Sequence, residues 1–163
     1  MSTKLLASLF EHKAWANQEM FAALRKVPAD ANRRDMAVIL FTLDHLSITD
    51  QIFKANISGQ SHLFEAVVAR AMPNLDELAE TVRATDAWYV DYVKSASEAE
   101  LGESVAFTFV ADGMAGRMTR EEMLGHVLTH GASHRGAVGK MLEIMQVQGP
   151  PDMFTTFVHR QPA

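Results

Sequence analysis

Apolar residues recur every three to four positions through four long stretches of this chain, the period of helices that turn one face inward. The first stretch runs from Ser2 to Lys26, with Leu5, Leu9, Ala16, Met20, Ala23 and Val27 on one stripe. Ser2 is placed to cap it and Pro28 to stop it. The second, Arg34 to Ile57, closes at Ser58-Gly59, where glycine admits a left-handed turn. The third opens on Asn74 after Pro73, has Asp76 and Glu77 in its first turn, and carries Leu75, Leu78, Val82, Tyr89, Tyr92 and Ala96. The fourth starts at Thr119, which makes a capping-box pattern with Glu122, and runs to Gln148 before Gly149-Pro150-Pro151.

Between the third and fourth helices, Val105 to Val110 alternates like a short strand, and Asp112-Gly113 supplies the turn of a small hairpin. Residues 61–72 read as a loop, or a loop with one helical turn, and the tail from Asp152 to Ala163 is placed to pack back on the helices. Four amphipathic helices without a second sheet predict an all-α fold, a four-helix bundle with a short β-hairpin before its last helix. No internal repeat or linker divides the chain, so residues 1–163 are expected to form one domain.

Composition narrows the chemistry. At 163 residues with 48% hydrophobic and 21% charged positions, the chain can bury a sizeable core. It has no cysteine, which removes disulfides and thiolate ligands and leaves imidazole, carboxylate and backbone oxygen to hold any metal. Cysteine absence fits a cytoplasmic protein. The run Leu5 to Phe10 is too short for a secretion signal, and no apolar stretch reads as a membrane span. A net charge of −5, with Arg33-Arg34 as the nearest approach to a basic cluster, argues against nucleic acid as a partner.

His126, His130 and His134 follow one another at four-residue intervals on the last helix. Four residues turn a side chain by about 40° and lift it by about 6 Å, so neighbours in this series stack on one face. Two imidazoles at that spacing can close on a single metal ion. His130 and His134 share the stripe of Val127, Val138, Met141 and Met145, whereas His126 falls toward its edge. On the second helix His45 lies among Val38, Phe41, Ile48 and Ile52, where an imidazole needs either a hydrogen bond or a metal. His45, His130 and His134 are therefore the expected ligands of one divalent transition metal.

These residues resemble the DinB-like family, the DinB/YfiT-like helical metalloproteins. The matching segments are Trp15-Ala16-Asn17, Leu43-Asp44-His45-Leu46, the run from Gly125 through His126, His130 and His134 to Arg135-Gly136, and Gly149-Pro150-Pro151-Asp152. The resemblance implies an up-down-down-up bundle, usually dimeric, with nickel or zinc on three histidines that map onto His45, His130 and His134. It also implies a small-molecule substrate, since active members include thiol-dependent S-transferases, a maleylpyruvate isomerase and hydrolases.

Three neutral imidazoles leave coordination positions open, the pattern of a catalytic site, and a bound cation would activate water or a low-molecular-weight thiol. His126, one turn from His130, is the expected general base. Trp15, on a face with His12 and Glu19, and Arg135 are expected to line a pocket, with Arg135 either holding an anionic substrate or pairing with an acid. Asp44 points about 100° away from His45, toward solvent or a neighbouring helix. The competing class is a non-catalytic, dimeric metal-binding stress or sensor protein, with the two apolar sides of helix two serving a second subunit.

Overall fold

The computed structural model describes residues 3–28 and 33–160. In chain order its elements are α1 (Thr3–Leu24), α2 (Arg33–Ile57), α3 (Leu75–Ser95), α4 (Glu98–Leu101), β1 (Ser104–Thr108), β2 (Ala115–Thr119), α5 (Arg120–Ile144) and α6 (Phe154–His159). The fold is mainly helical, with one two-stranded antiparallel sheet whose register runs from Ser104 opposite Thr119 to Thr108 opposite Ala115. α1 lies against α3 and α5, and α2 lies against α5 and α3, so each long helix is flanked by two others.

The buried stripe of α1 keeps Ala16, Met20 and Ala23 of the expected one and departs from it elsewhere. It runs through Leu6, Phe10, Lys13, Asn17, Met20 and Leu24, while Leu5 is 45% exposed. Lys13 and Asn17 occupy interior positions, so a stripe traced through apolar residues alone rotates away from the true face. The same helix links two apolar clusters. Leu6 and Phe10 join Phe53, Tyr89, Leu124 and Val127, whereas Met20 and Leu24 join Ile39, Leu43, Val82, Val138 and Leu142. Lys13 and Asn17 fall between them.

Several ends match the turn chemistry. Asn74 caps α3 by accepting from the backbone N–H groups of Asp76 and Glu77, and Asp112 accepts from Met114 N across the hairpin turn, where Gly113 has φ 74°. The expected cap Ser2 lies outside the described residues. α1 closes at Leu24, because Lys26 and Val27 bond three residues back, to Ala23 and Leu24, and tighten the last turn before Pro28. α5 stops at Ile144 and not at Gln148. Gln146 takes φ 61°, and Val147 N–H reaches Leu142 O at 2.9 Å, a Schellman closure made without glycine. The 61–72 stretch has no helix, and the single turn α4 was not anticipated.

Thr119 and Glu122 form the full capping box that starts α5. Thr119→Ala should cost about 1 kcal/mol, a fall in Tm of about 3 °C by calorimetry. The tail does fold back: Phe157 of α6 is buried, with its ring 5.7 Å from Trp15 and 5.6 Å from His12 of α1. One further point departs from the sequence reading. By length and composition α2 is apolar enough to cross a membrane, although half of the relevant window is buried among the other helices, as in a core helix.

Candidate metal centre

α2 and α5 pack side by side and bring their histidines together. His130 Nε2 lies 3.2 Å from His45 Nε2 and 3.0 Å from His134 Nε2, and one nitrogen from each ring falls within 4.8 Å of the other two. All three rings are half-buried. His45 is locked in place, since its Nδ1 sits 2.8 Å from the Val67 carbonyl. A carbonyl only accepts, so Nδ1 carries the hydrogen and Nε2 presents a lone pair to the other histidines.

The hydrogens do not suffice for this cluster. With Nε2 of His45 an acceptor, one hydrogen on His130 Nε2 would have to serve His45 and His134 at once. Protonation is opposed: burial, then the charges of His134, His126 and His45, lower His130 to about 4, and burial followed by His45 lowers His134. Ring nitrogens with converging lone pairs are what a cation requires. Both spacings from His130 also fit. At Zn–N distances of about 2.0–2.1 Å, ligand nitrogens stand about 2.9 Å apart in a right-angled arrangement and about 3.4 Å apart in a tetrahedral one. The two contacts at 3.0 and 3.2 Å fall between.

The loop after α2 covers this centre. Val67 fixes His45, and two residues on, Ala69 N–H donates to Asp44 Oδ2 at 3.0 Å. Asp44 thus holds the covering loop, and burial raises its pKa although that hydrogen bond and His45 pull the other way. His126 stacks on His130 at 5.2 Å, with Phe53 4.7 Å away on another side, and burial lowers its pKa. Beside these rings opens a cleft of about 210 Å³, walled by α2, by α5 and by residues 107–111 of the hairpin. Thr49 Oγ1 and Asn56 Nδ2, on the α2 side, are buried without a partner. A buried polar group left unpaired costs about 1–3 kcal/mol.

The sequence pattern that defines the DinB family matches residues 1–161. The chain belongs to the DinB family. It is also similar to the protein named Protein DinB from Bacillus subtilis (strain 168), at 23% identity over 144 residues that cover 82% of each chain.

In this DinB-family protein the two expected pocket residues sit apart from the cleft. Trp15 faces α6, packed with His12 and Phe157. Arg135 is 3% exposed and turned toward acids: Nε and Nη2 donate to Asp152 at 2.8 and 3.2 Å, and Nη1 reaches Asn17 Oδ1 at 3.4 Å. It pairs with an acid, the second of the two roles expected of it, and has little left to offer an anion in the cleft. His62 rests near Phe64, and His159 Nδ1 bonds Thr155 O within its own helix.

A second group of charges lies between the apolar clusters. Lys13 Nζ is 2.7 Å from Asp50 Oδ2 and also bonds Asp86, whose other oxygen accepts from Asn17 Nδ2 at 2.7 Å. Lys13, Asp50 and Asp86 are each under 5% exposed. Burial would depress the Lys13 ammonium, but the two carboxylates more than offset it and hold its pKa above the usual value. With one cation shared between two acids, burial still lifts Asp50 to about 6. Gly131, next to His130, leaves room for this network: a Cβ there would stand 3.2 Å from Arg135 Nη1 and 3.6 Å from Lys13 Cε.

Proposed function

We propose that this DinB-family protein holds one divalent transition metal ion, nickel or zinc, on His45, His130 and His134, and acts as a metal-dependent enzyme of the thiol S-transferase or hydrolase type on a small molecule. The observation that carries the proposal is the convergence of three ring nitrogens with too few hydrogens to satisfy one another. When bound, such an ion would polarise a coordinated thiol or water and bring its pKa toward neutrality. Val67 and Asp44 would keep the His45 ring oriented, which is the part played by carbonyls and carboxylates behind metal-bound histidines. His126, neutral and stacked on His130, is the base available to take the proton from the nucleophile.

The same reading includes one domain, a four-helix bundle of up-down-down-up order, a cytoplasmic location and a homodimer. The pairwise packing of the long helices supports the bundle, and the 47% exposed Val38, one turn from half-buried Phe41 on α2, is an apolar spot a second copy would cover.

The test uses protein purified without a metal-affinity tag, assayed for conjugation of low-molecular-weight thiols to 1-chloro-2,4-dinitrobenzene and for hydrolysis of 4-nitrophenyl acetate. Turnover should vanish with a chelator and return with added ion. His126→Ala should keep its metal and lose about a hundredfold or more in kcat, the usual contribution of a positioned base. Metal-loaded protein inactive across a broad panel of thiols and electrophiles would favour a non-catalytic metal-binding sensor instead.

A further inference from the structure

The cleft beside the three histidines has a definite chemical character. Among the described residues, its lining contains no lysine, arginine, aspartate or glutamate, and its titratable members are His45, His126 and His130. The rest of the wall is mostly aliphatic and aromatic, with Ile52, Phe53, Val67 and Phe107 among it. Three polar side chains besides the histidines, Thr49, Asn56 and Thr108, interrupt this surface, and the first two each bury an atom without a partner. Thr49 is 8% exposed with Oγ1 unpaired, and Asn56 has an unpaired Nδ2 donor. His45, Thr49 and Asn56 succeed one another along α2 at four and seven residues, intervals that keep them on one side of the helix. At 1.5 Å per residue, Thr49 stands about 6 Å and Asn56 about 16 Å along the axis from His45.

We infer that this cleft is the substrate subsite and that it selects a neutral, largely apolar molecule carrying a carbonyl, amide or hydroxyl for Thr49 and Asn56 to bind. An apolar wall with a few placed polar groups is the common build of small-molecule sites. A cavity of about 150 Å³ suffices for benzene, so 210 Å³ takes one ring with short substituents. A cationic ligand would lose its hydration here with no carboxylate in the lining to compensate it and with the proposed ion repelling it, and an anion would find no lysine or arginine along the wall. An anionic thiol cosubstrate would therefore be drawn to the ion at the histidine end and not to the apolar wall. The inference rests on the metal-centre reading for the position of the reacting end, but most of the cleft wall is built by other residues.

The experiment measures 4-fluorobenzamide, 4-fluorobenzamidinium and 4-fluorobenzenesulfonate binding to untagged protein by fluorine NMR, with metal content determined on the same samples. In the metal-free His134→Ala protein, where no ion can attract the sulfonate, the neutral amide should bind at least about tenfold more tightly than either charged probe. Thr49→Val and Asn56→Leu should each weaken the amide by about three- to tenfold with metal content unchanged, and His134→Ala should lose metal while still binding the amide. Equal affinity of His134→Ala for the three probes, amide binding indifferent to both α2 substitutions, or no amide binding to metal-loaded protein would overturn the inference. Amide binding to a protein that takes up no metal would instead remove the metal-centre reading and leave the cleft standing.

Discussion

Lys13→Met should destabilise the fold by about 3–5 kcal/mol, the cost of removing one partner from a buried ionic group. That is a large share of the about 5–15 kcal/mol that holds a domain together. The substitution leaves Asp50 and Asp86 facing each other at under 5% exposure without their shared cation. The loss should depend on pH with a definite sign. Asp50 is already raised to about 6 with the ammonium beside it, so without it Asp50 rises further and a proton can take the cation's place. The deficit relative to the natural chain should be largest above pH 7 and shrink toward pH 5, measured by urea unfolding across that range. A deficit that is absent, or flat with pH, would show that the ammonium is not compensating the two acids. The triple variant K13M/D50N/D86N should recover most of the stability, since removing all the buried charges avoids the penalty of leaving some unpaired.

In the unsubstituted protein the Asp50 shift acts alone in the same direction. Its folded pKa of about 6 exceeds the usual carboxylate value of 3.8, so its contribution to stability is present below about pH 4 and lost as pH rises through about 6. Asp50→Asn should therefore gain on the natural chain between pH 4 and 7.

The second large effect concerns the histidines. His134→Ala and His45→Ala should each lower metal affinity by at least about a hundredfold, because even partners behind a metal ligand are worth about ten- to a hundredfold. The helical circular dichroism should persist, since neither ring belongs to either apolar cluster. His126→Ala provides the contrast: its ring stacks on His130 but lies outside the converging set, so its metal should remain.

The helices and the three histidines were legible because helical period is a local property. Spacing of four residues puts His130 and His134 on one face, and Thr119 and Asn74 announce their helix starts by side-chain chemistry that needs no tertiary contact. The buried charges were hidden for the opposite reason. Lys13, Asp50 and Asp86 sit on inward faces of three different helices, and only their mutual contact explains why they are tolerated there. The available signal was a lysine three residues from Phe10 and from Ala16, both on the buried side of α1. Thr49 and Asn56 escaped notice because polar residues on an amphipathic helix ordinarily face water. The part of Val67 could not be read at all, since it is a backbone carbonyl delivered by an irregular loop.

The central claim is that three imidazoles from two helices share one ion, and elemental analysis by mass spectrometry tests it most directly. Untagged protein should carry close to one nickel, zinc or similar divalent ion per chain, and His45→Ala, correctly folded, should carry almost none. Full occupancy retained in His45→Ala would contradict the account, as would natural protein that takes up no divalent ion when dialysed against one.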